Sequence, residues 1–285
     1  MKKTFHLLVM VLGLTSASGH PGIGIVQNSK GEVFYTDLKQ VWKITLSGRV
    51  ELAVPDVHTH ELYLDPQGNL YGEHLWYNGE QKNTWGHYVW KRAADGTVTK
   101  VVPDTEGFLE DYSFVRDHFG RMYWADRTAS CQKVVRRNAN NSRTTLDAPC
   151  FHNIRALHAL HDGSVVVVDF QDIRKITAQG KVVTVATRIA NKKWTTSNVD
   201  NQNAVMGIWD DAEGNLYAAV MSERMVKRFR PDGTEGVVFK TSFPWTPTGG
   251  MVDSMGRLWV LETNTVNDVR VERRDATGQQ KIFLP

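Results

Sequence analysis

The chain has 285 residues, with 34 Lys and Arg against 31 Asp and Glu, and a formal charge of +3 that falls to +1 (3 − 2) when Lys2 and Lys3 are set aside. A near-neutral balance with no long basic run gives no electrostatic footprint for nucleic acid, so that class of partner is excluded. Beyond the N-terminus no stretch approaches the ~18 consecutive apolar residues of a membrane-spanning helix, so the mature chain is expected without a membrane span.

In chain order, the first element is a basic start, Met1-Lys2-Lys3, then the apolar run Leu7 to Leu14, then Thr15-Ser16-Ala17-Ser18. That order is the pattern of a secretory signal peptide. Residues 1–18 are assigned to it and 19–285 to the folded part, which places the protein as secreted or periplasmic. In an oxidising compartment the two cysteines, Cys131 and Cys150, are expected to form a disulfide.

From Gly22 onward one unit recurs: an apolar run, a polar turn ending in glycine, and a second apolar run. The turn glycines are Gly31, Gly68, Gly120, Gly163, Gly214 and Gly256. Each is followed by a second strand, such as Val33-Phe34-Tyr35, Leu70-Tyr71, Met122-Tyr123-Trp124 or Leu258-Trp259-Val260. A second turn follows, as in Ser47-Gly48, Asp95-Gly96, Gln179-Gly180, Asp232-Gly233 and Thr277-Gly278; the third unit has Asn138-Ala139-Asn140-Asn141 instead, whose asparagines tolerate the same left-handed geometry. Six repeats of four strands with two hairpin turns predict an all-β fold, a six-bladed β-propeller with four-stranded blades. The first unit begins at its inner strand and the last ends at an outer one, so the ring is expected to close by face packing rather than by strand exchange.

The motif residues are specific. Pro21-Gly22-Ile23-Gly24-Ile25-Val26 with Val33-Phe34-Tyr35-Thr36-Asp37, and Pro247-Thr248-Gly249-Gly250-Met251-Val252-Asp253 with Leu258 to Glu262, resemble the NHL repeat. Across residues 19–285 the chain is similar to the six-bladed propellers that include the senescence marker protein/gluconolactonase family and the virginiamycin B lyases. The first resemblance implies a divalent metal on the axis, held by Glu, Asn and Asp in the column just before a small inner-strand residue. The second implies a His base with a Glu-held magnesium. Neither pattern is matched residue by residue.

Aligned on the turn glycines, the column seven residues earlier reads Gly24, Glu61, Ser113, Ala156, Gly207 and Gly249. Five are small, as close approach requires; Glu61 is the exception. One residue earlier the column reads Ile23, His60, Tyr112, Arg155, Met206 and Thr248. The second strands end at Asp37, His74, Asp126, Asp169, Val220 and Glu262, mostly acids suited to capping loop N–H groups, with His74 the departure in blade two. Strand alternation puts these columns on one face. If blade two's inner hairpin centres on Gln67, Glu61 lies opposite Glu73 and His60 opposite His74. The same face receives an insertion, Leu75 to Trp85, and the long connection from Ile189 to Asn203.

Three readings stay open. In the first, Glu61, Glu73 and His60 hold a divalent metal ion (calcium, magnesium, manganese or zinc), His60 or His74 acts as base, and Arg155 binds an anion. Tyr112, Trp76, Trp85 and Trp194 are then substrate-binding groups in a lactonase- or esterase-type hydrolase or a lyase, acting on a small molecule. In the second, the face binds a glycan or peptide without chemistry. In the third, it is an interaction scaffold. A monomer is expected in each. No G-x-S-x-G, P-loop, HExxH or CxxC motif supports a serine-nucleophile, nucleotide or zincin site.

Overall fold

A computed structural model describes residues 21–109, 111–127, 131–146, 149–190 and 204–285. The expected signal peptide and Trp194 lie outside the described residues. Blade one is β1 (Ile25–Gln27), β2 (Val33–Thr36), β3 (Val41–Ile44) and β4 (Val50–Val54). Blade two is β5 (Leu62–Leu64), β6 (Leu70–Tyr77), β7 (Trp85–Arg92) and β8 (Val98–Glu106), with a single helical turn, α1 (Gly79–Lys82), between β6 and β7. Blade three is β9 (Met122–Asp126), β10 (Lys133–Arg137) and β11 (Arg143–Thr145). Blade four is β12 (Ile154–Ala159), β13 (Val165–Asp169), β14 (Asp172–Ile176) and β15 (Val182–Ala186). Blade five is β16 (Ile208–Asp210), β17 (Leu216–Val220), β18 (Met225–Phe229) and β19 (Glu235–Lys240), and blade six is β20 (Thr246–Val252), β21 (Leu258–Thr263), β22 (Val269–Arg274) and β23 (Gln280–Phe283). Every pairing is antiparallel between sequence neighbours, the meander of a six-bladed propeller.

The repeated turn has a chemical core. In blades two, three, five and six an Asp at the turn binds loop N–H groups with one oxygen and an aromatic six residues on with the other. Tyr71 Oη donates to Asp65 (3.1 Å), Tyr123 Oη to Asp117 (2.8 Å), Tyr217 Oη to Asp211 (2.7 Å) and Trp259 Nε1 to Asp253 (2.8 Å). The aromatic is thereby pinned where it packs on the next blade. The acidic column behaves as capping predicts at two places: Asp37 accepts from the N–H of Lys39 and Gln40, and Asp169 from those of His152 and Asn153.

Two expectations are corrected. Leu75 to Tyr77 and Trp85 are not loop: the β6–β7 ladder runs unbroken to Tyr77↔Trp85, because Leu, Trp and Tyr continue a half-buried strand and Gly86 leaves room for Trp76 to lie across it. And the inner strand of blade three is irregular: it pairs with β9 through the bridge Arg116↔Met122 and through the hydrogen bonds Tyr123 N–H to Val115 O (3.0 Å) and Asp117 N–H to Arg121 O (3.2 Å). The chain there is bound up in other ways, with Ser113 Oγ taking the Val115 N–H at 3.0 Å and the Arg116 guanidinium stacked among Tyr63, Tyr71 and Tyr112.

Buried apolar clusters join blades one and two, three and four, four and five, five and six, and six and one. Closure is therefore by packing: Trp259, Leu261 and Phe283 of blade six meet Ile25, Tyr35 and Ile44 of blade one. Thr248 Oγ1 donates to Gly22 O at 2.8 Å across the same seam. Cys131 and Cys150 form a disulfide that ties the β9–β10 connection to the segment leaving blade three.

Candidate active site at the channel

Blade two's inner hairpin has the expected register, Leu62↔Gly72, Tyr63↔Tyr71 and Leu64↔Leu70, centred on Gln67. Before Leu62 the two strands part. The His60 carbonyl turns away to accept the N–H groups of Ile23 and Gly24 in blade one, both at 2.9 Å. His60 consequently faces Glu73 and not His74: Nδ1 donates to Glu73 Oε1 at 2.9 Å. Glu73 itself is held from behind. Its carbonyl accepts from Trp90 Nε1 at 2.9 Å and from Thr59 Oγ1, and Trp90 fits because residue 72 is glycine, where a Cβ would lie 2.2 Å from the indole.

His74 takes the other face of β6, as strict alternation demands. Its Nδ1 accepts the His58 N–H at 3.1 Å and its ring stacks on Tyr88 at 4.7 Å. Burial and the nearby Lys100 lower its pKa. His74 therefore stands apart from the basin that His60, Glu61 and Glu73 line, and the structure does not bring it together with them as the expected base.

Glu61 stands at the junction of four cavities, of 770, 320, 790 and 200 Å³. The column logic explains why. At the equivalent positions a Cβ on Gly24 would lie 2.9 Å from Leu62 N, and one on Gly249 would lie 2.2 Å from Ile23 O. Glu61 faces the degenerate inner segment of blade three instead, so room exists for a side chain. Burial first, and the charge of Glu73 second, push its carboxyl up to about 7 against the weaker pull of His60 and Arg127. A carboxyl so placed can give or take a proton near neutrality.

The 790 Å³ basin at the mouth joins the expected residues His60, Glu61, Glu73, Trp76, Trp85 and Arg155, and adds three that the sequence did not single out: His87, Phe108 and Arg127. His87 is buried, with Nδ1 donating to Gly107 O at 2.8 Å and Nε2 3.8 Å from Glu73 Oε2. Its signal was available, since alternation along β7 puts His87 on the same face as Trp85 and Val89. Arg127 directly follows the acidic column, at the end of β9. Trp85 meets Phe108 edge-on at 4.5 Å and forms the outer wall. Tyr112 lines the adjoining cavities, its hydroxyl pKa raised by burial.

Arg155 lies in a β-bulge between the pairs Ile154↔Asp169 and Ala156↔Val168, the device that re-aims a side chain from a strand end. The remaining histidines are elsewhere. His158 Nε2 donates to Asp210 at 2.7 Å on a lower stretch of the channel, and His118 stacks on His161 at 4.3 Å on the opposite face.

The donor set does not fit the expected cation site. Among the described residues no group of three His, Cys, Asp or Glu side chains is arranged to hold a metal ion. Glu73 Oε1 is engaged by His60, and Arg127 and Arg155 put positive charge on the same basin. The structure brings the expected ligands Glu61, Glu73 and His60 together but does not arrange them as a metal site.

No protein-family model matches the chain, and no curated protein matches it by sequence. Solved structures do. Virginiamycin B lyase from Staphylococcus aureus, in a catalytically inactive form with quinupristin, is 15% identical over 93% of this chain and 84% of its own, with a TM-score of 0.52. The calcium-binding protein regucalcin from Agrobacterium tumefaciens is 16% identical over 85% of this chain and 81% of its own, with a TM-score of 0.55. A gluconolactonase from Xanthomonas campestris is 14% identical over 84% of this chain and 83% of its own, with a TM-score of 0.54. All three are six-bladed β-propellers, and at these identities the likeness establishes the fold.

Proposed function

We propose that the chain is an exported hydrolase or lyase that opens a carbon–oxygen bond of a small molecule by paired acid–base catalysis at the channel mouth. The observation that carries this reading is the His60–Glu73 hydrogen bond of 2.9 Å beside Glu61, whose carboxyl is raised to about 7. With Nδ1 committed to Glu73, His60 keeps Nε2 as its basic nitrogen. In hydrolysis Nε2 takes a proton from water, the hydroxide oxygen bonds to the ester or lactone carbonyl carbon, and neutral Glu61 gives its proton to the departing oxygen. In elimination Nε2 takes a proton from carbon, the C–H pair becomes the new double bond, and Glu61 again protonates the leaving oxygen. Arg127 and Arg155 are placed to stabilise negative charge as it develops. Lyase and lactonase propellers among the structural neighbours are consistent with this reading. Export is supported by the Met1 to Ser18 pattern and by the disulfide, which needs an oxidising compartment to persist.

The test is turnover of a panel of lactones, aryl esters and cyclic depsipeptides by the mature protein before and after exhaustive chelation. Glu61→Gln and His60→Gln are each expected to lower kcat about 10²–10⁴-fold, the range for a lost general acid or base. Glu73→Gln should cost less, through a misoriented His60. Turnover retained in Glu61→Gln would sink the proposal, and absolute dependence on added magnesium or calcium would replace it with a cation-centred site. The second reading, glycan or peptide binding, is favoured by one feature: the Trp76, Trp85 and Phe108 wall, in which Trp76 Nε1 is buried without a hydrogen-bond partner. Binding of an oligosaccharide without turnover of any panel member would select it.

A further inference from the structure

Several half-buried arginines in this propeller have a carboxylate of their own. Arg257 is 2.6 Å from Asp253, Arg270 2.7 Å from Glu262, Arg121 2.5 Å from Asp117 and Arg274 3.2 Å from Glu272. Arg127 and Arg155 differ. Arg127 spends Nη2 on a backbone acceptor, Ile154 O, at 2.9 Å, and Arg155 Nε is buried with no hydrogen-bond partner. The charge that most affects Arg155 is Arg127 itself, which together with burial lowers its pKa. Glu61 senses Arg127 but holds its proton up to about 7. A half-buried guanidinium with a second positive charge nearby and a buried N–H left without a partner favours an anion beside it.

Those two arginines also mark a boundary. With Glu61 and Phe108 they line both the basin at the mouth and a second cavity of 770 Å³ at its side. That cavity lies against the irregular inner segment of blade three, and Val115, Tyr123, Ala125, Val135 and Leu157 give it an apolar stretch beside the polar Ser113, Asp111, Asp126 and Arg143. Its volume is that of an ordinary small-molecule site, about 300–1,000 Å³.

We propose that the ligand is an amphipathic monocarboxylate, its carboxylate bridging Arg127 and Arg155 and its hydrocarbon or aryl body seated in the blade-three side cavity. Planar guanidinium forks match a planar carboxylate, and the Glu61 and Glu73 side chains in the same basin penalise the second charge of a phosphate monoester. The assignment rests on the channel being the ligand site, and not on the acid–base chemistry proposed there.

The probes are octanoate and 4-phenylbutyrate, with acetate and octanamide as controls, titrated calorimetrically into the mature, disulfide-intact protein. Octanoate is expected to bind at least about tenfold more tightly than acetate, which lacks the body, and than octanamide, which lacks the charge. Arg155→Lys keeps the charge but loses the fork and should weaken octanoate about three- to tenfold, Arg155→Gln and Arg127→Gln more than tenfold. Val115→Phe, which fills the cavity, should weaken octanoate and leave acetate unchanged. Equal binding of octanoate and octanamide, or of octanoate and acetate, overturns the inference on the unaltered protein, whatever the variants do. Glu61→Gln separates the two proposals: loss of turnover with octanoate binding kept supports both, retained turnover sinks only the acid–base reading, and octanoate that fails to bind while turnover still needs Glu61 sinks only this one.

Discussion

Glu61 shows how one side chain can carry both a functional role and a cost in stability. Its position in the repeat is filled by glycine, alanine or serine in every other blade, and its carboxyl is raised to about 7 chiefly by burial. The raised value means the folded state holds a proton that the unfolded state has already released. Stability is therefore full below the unfolded carboxylate range and falls as pH climbs towards 7. The loss levels off above 7 at up to about 3 kcal/mol, less what channel water screens. Glu61→Gln removes the charge and should leave stability nearly unchanged at pH 4 and raise it at pH 8. Urea unfolding at the two pH values measures this; a variant destabilised at pH 8 would show that Glu61 is held as a paired carboxylate. His60 was legible from sequence because it precedes the anomalous residue, whereas His74 was misplaced because a mirror-image pairing ignores where the backbone leaves the ladder.

At the scale of the element, blade three departs furthest from its repeat. The sequence aligns Ser113 with the small column, yet the segment around it is irregular, with one bridge where the other blades form a strand. Arg116 anchors the irregular segment: its guanidinium sits 4.6 Å from the Tyr63 ring and 5.0 Å from the Tyr112 ring, adding cation–π contacts to the few backbone hydrogen bonds. The disulfide braces the same blade, closing a loop with a sequence separation of 19. A loop of that size restricts the unfolded chain by about 3 kcal/mol. Cys131→Ser with Cys150→Ser should accordingly lower the melting temperature by several degrees, as calorimetry would show. A change of under about one degree would mean that blade three gains nothing from its staple. Blade two's hairpin makes the converse point. Leu75 to Trp85 looked like an inserted loop because its turn residues are clustered, but eight-residue strands on either side carry it outward as sheet.

For the whole molecule, the ring closes by surface complementarity between blades six and one. Gly249 is the critical contact: a Cβ there would lie 2.2 Å from Ile23 O, on backbone that cannot yield cheaply. Gly249→Ala is expected to cost about 1–3 kcal/mol or more through overpacking. Gly236→Ala, on an outer strand with nothing within 4 Å, should stay within about 0.5 kcal/mol. Chemical denaturation of the pair tests whether closure rests on this approach; equal stabilities would refute it.

By itself the sequence determined the propeller, the blade count, the hairpin register of blade two and the shared face of His60, Glu61, Glu73, Trp76, Trp85 and Arg155. Those features repeat, and a repeated turn chemistry such as Asp211 with Tyr217 is local enough to be read along the chain. Only the tertiary structure decided which residues meet at the channel. His87, Phe108 and Arg127 come from a third strand, a blade-to-blade connection and the next blade's strand end, and they line one basin with Glu61. Segments so far apart in sequence meet only when the ring forms, and no pattern within any one of them records the meeting.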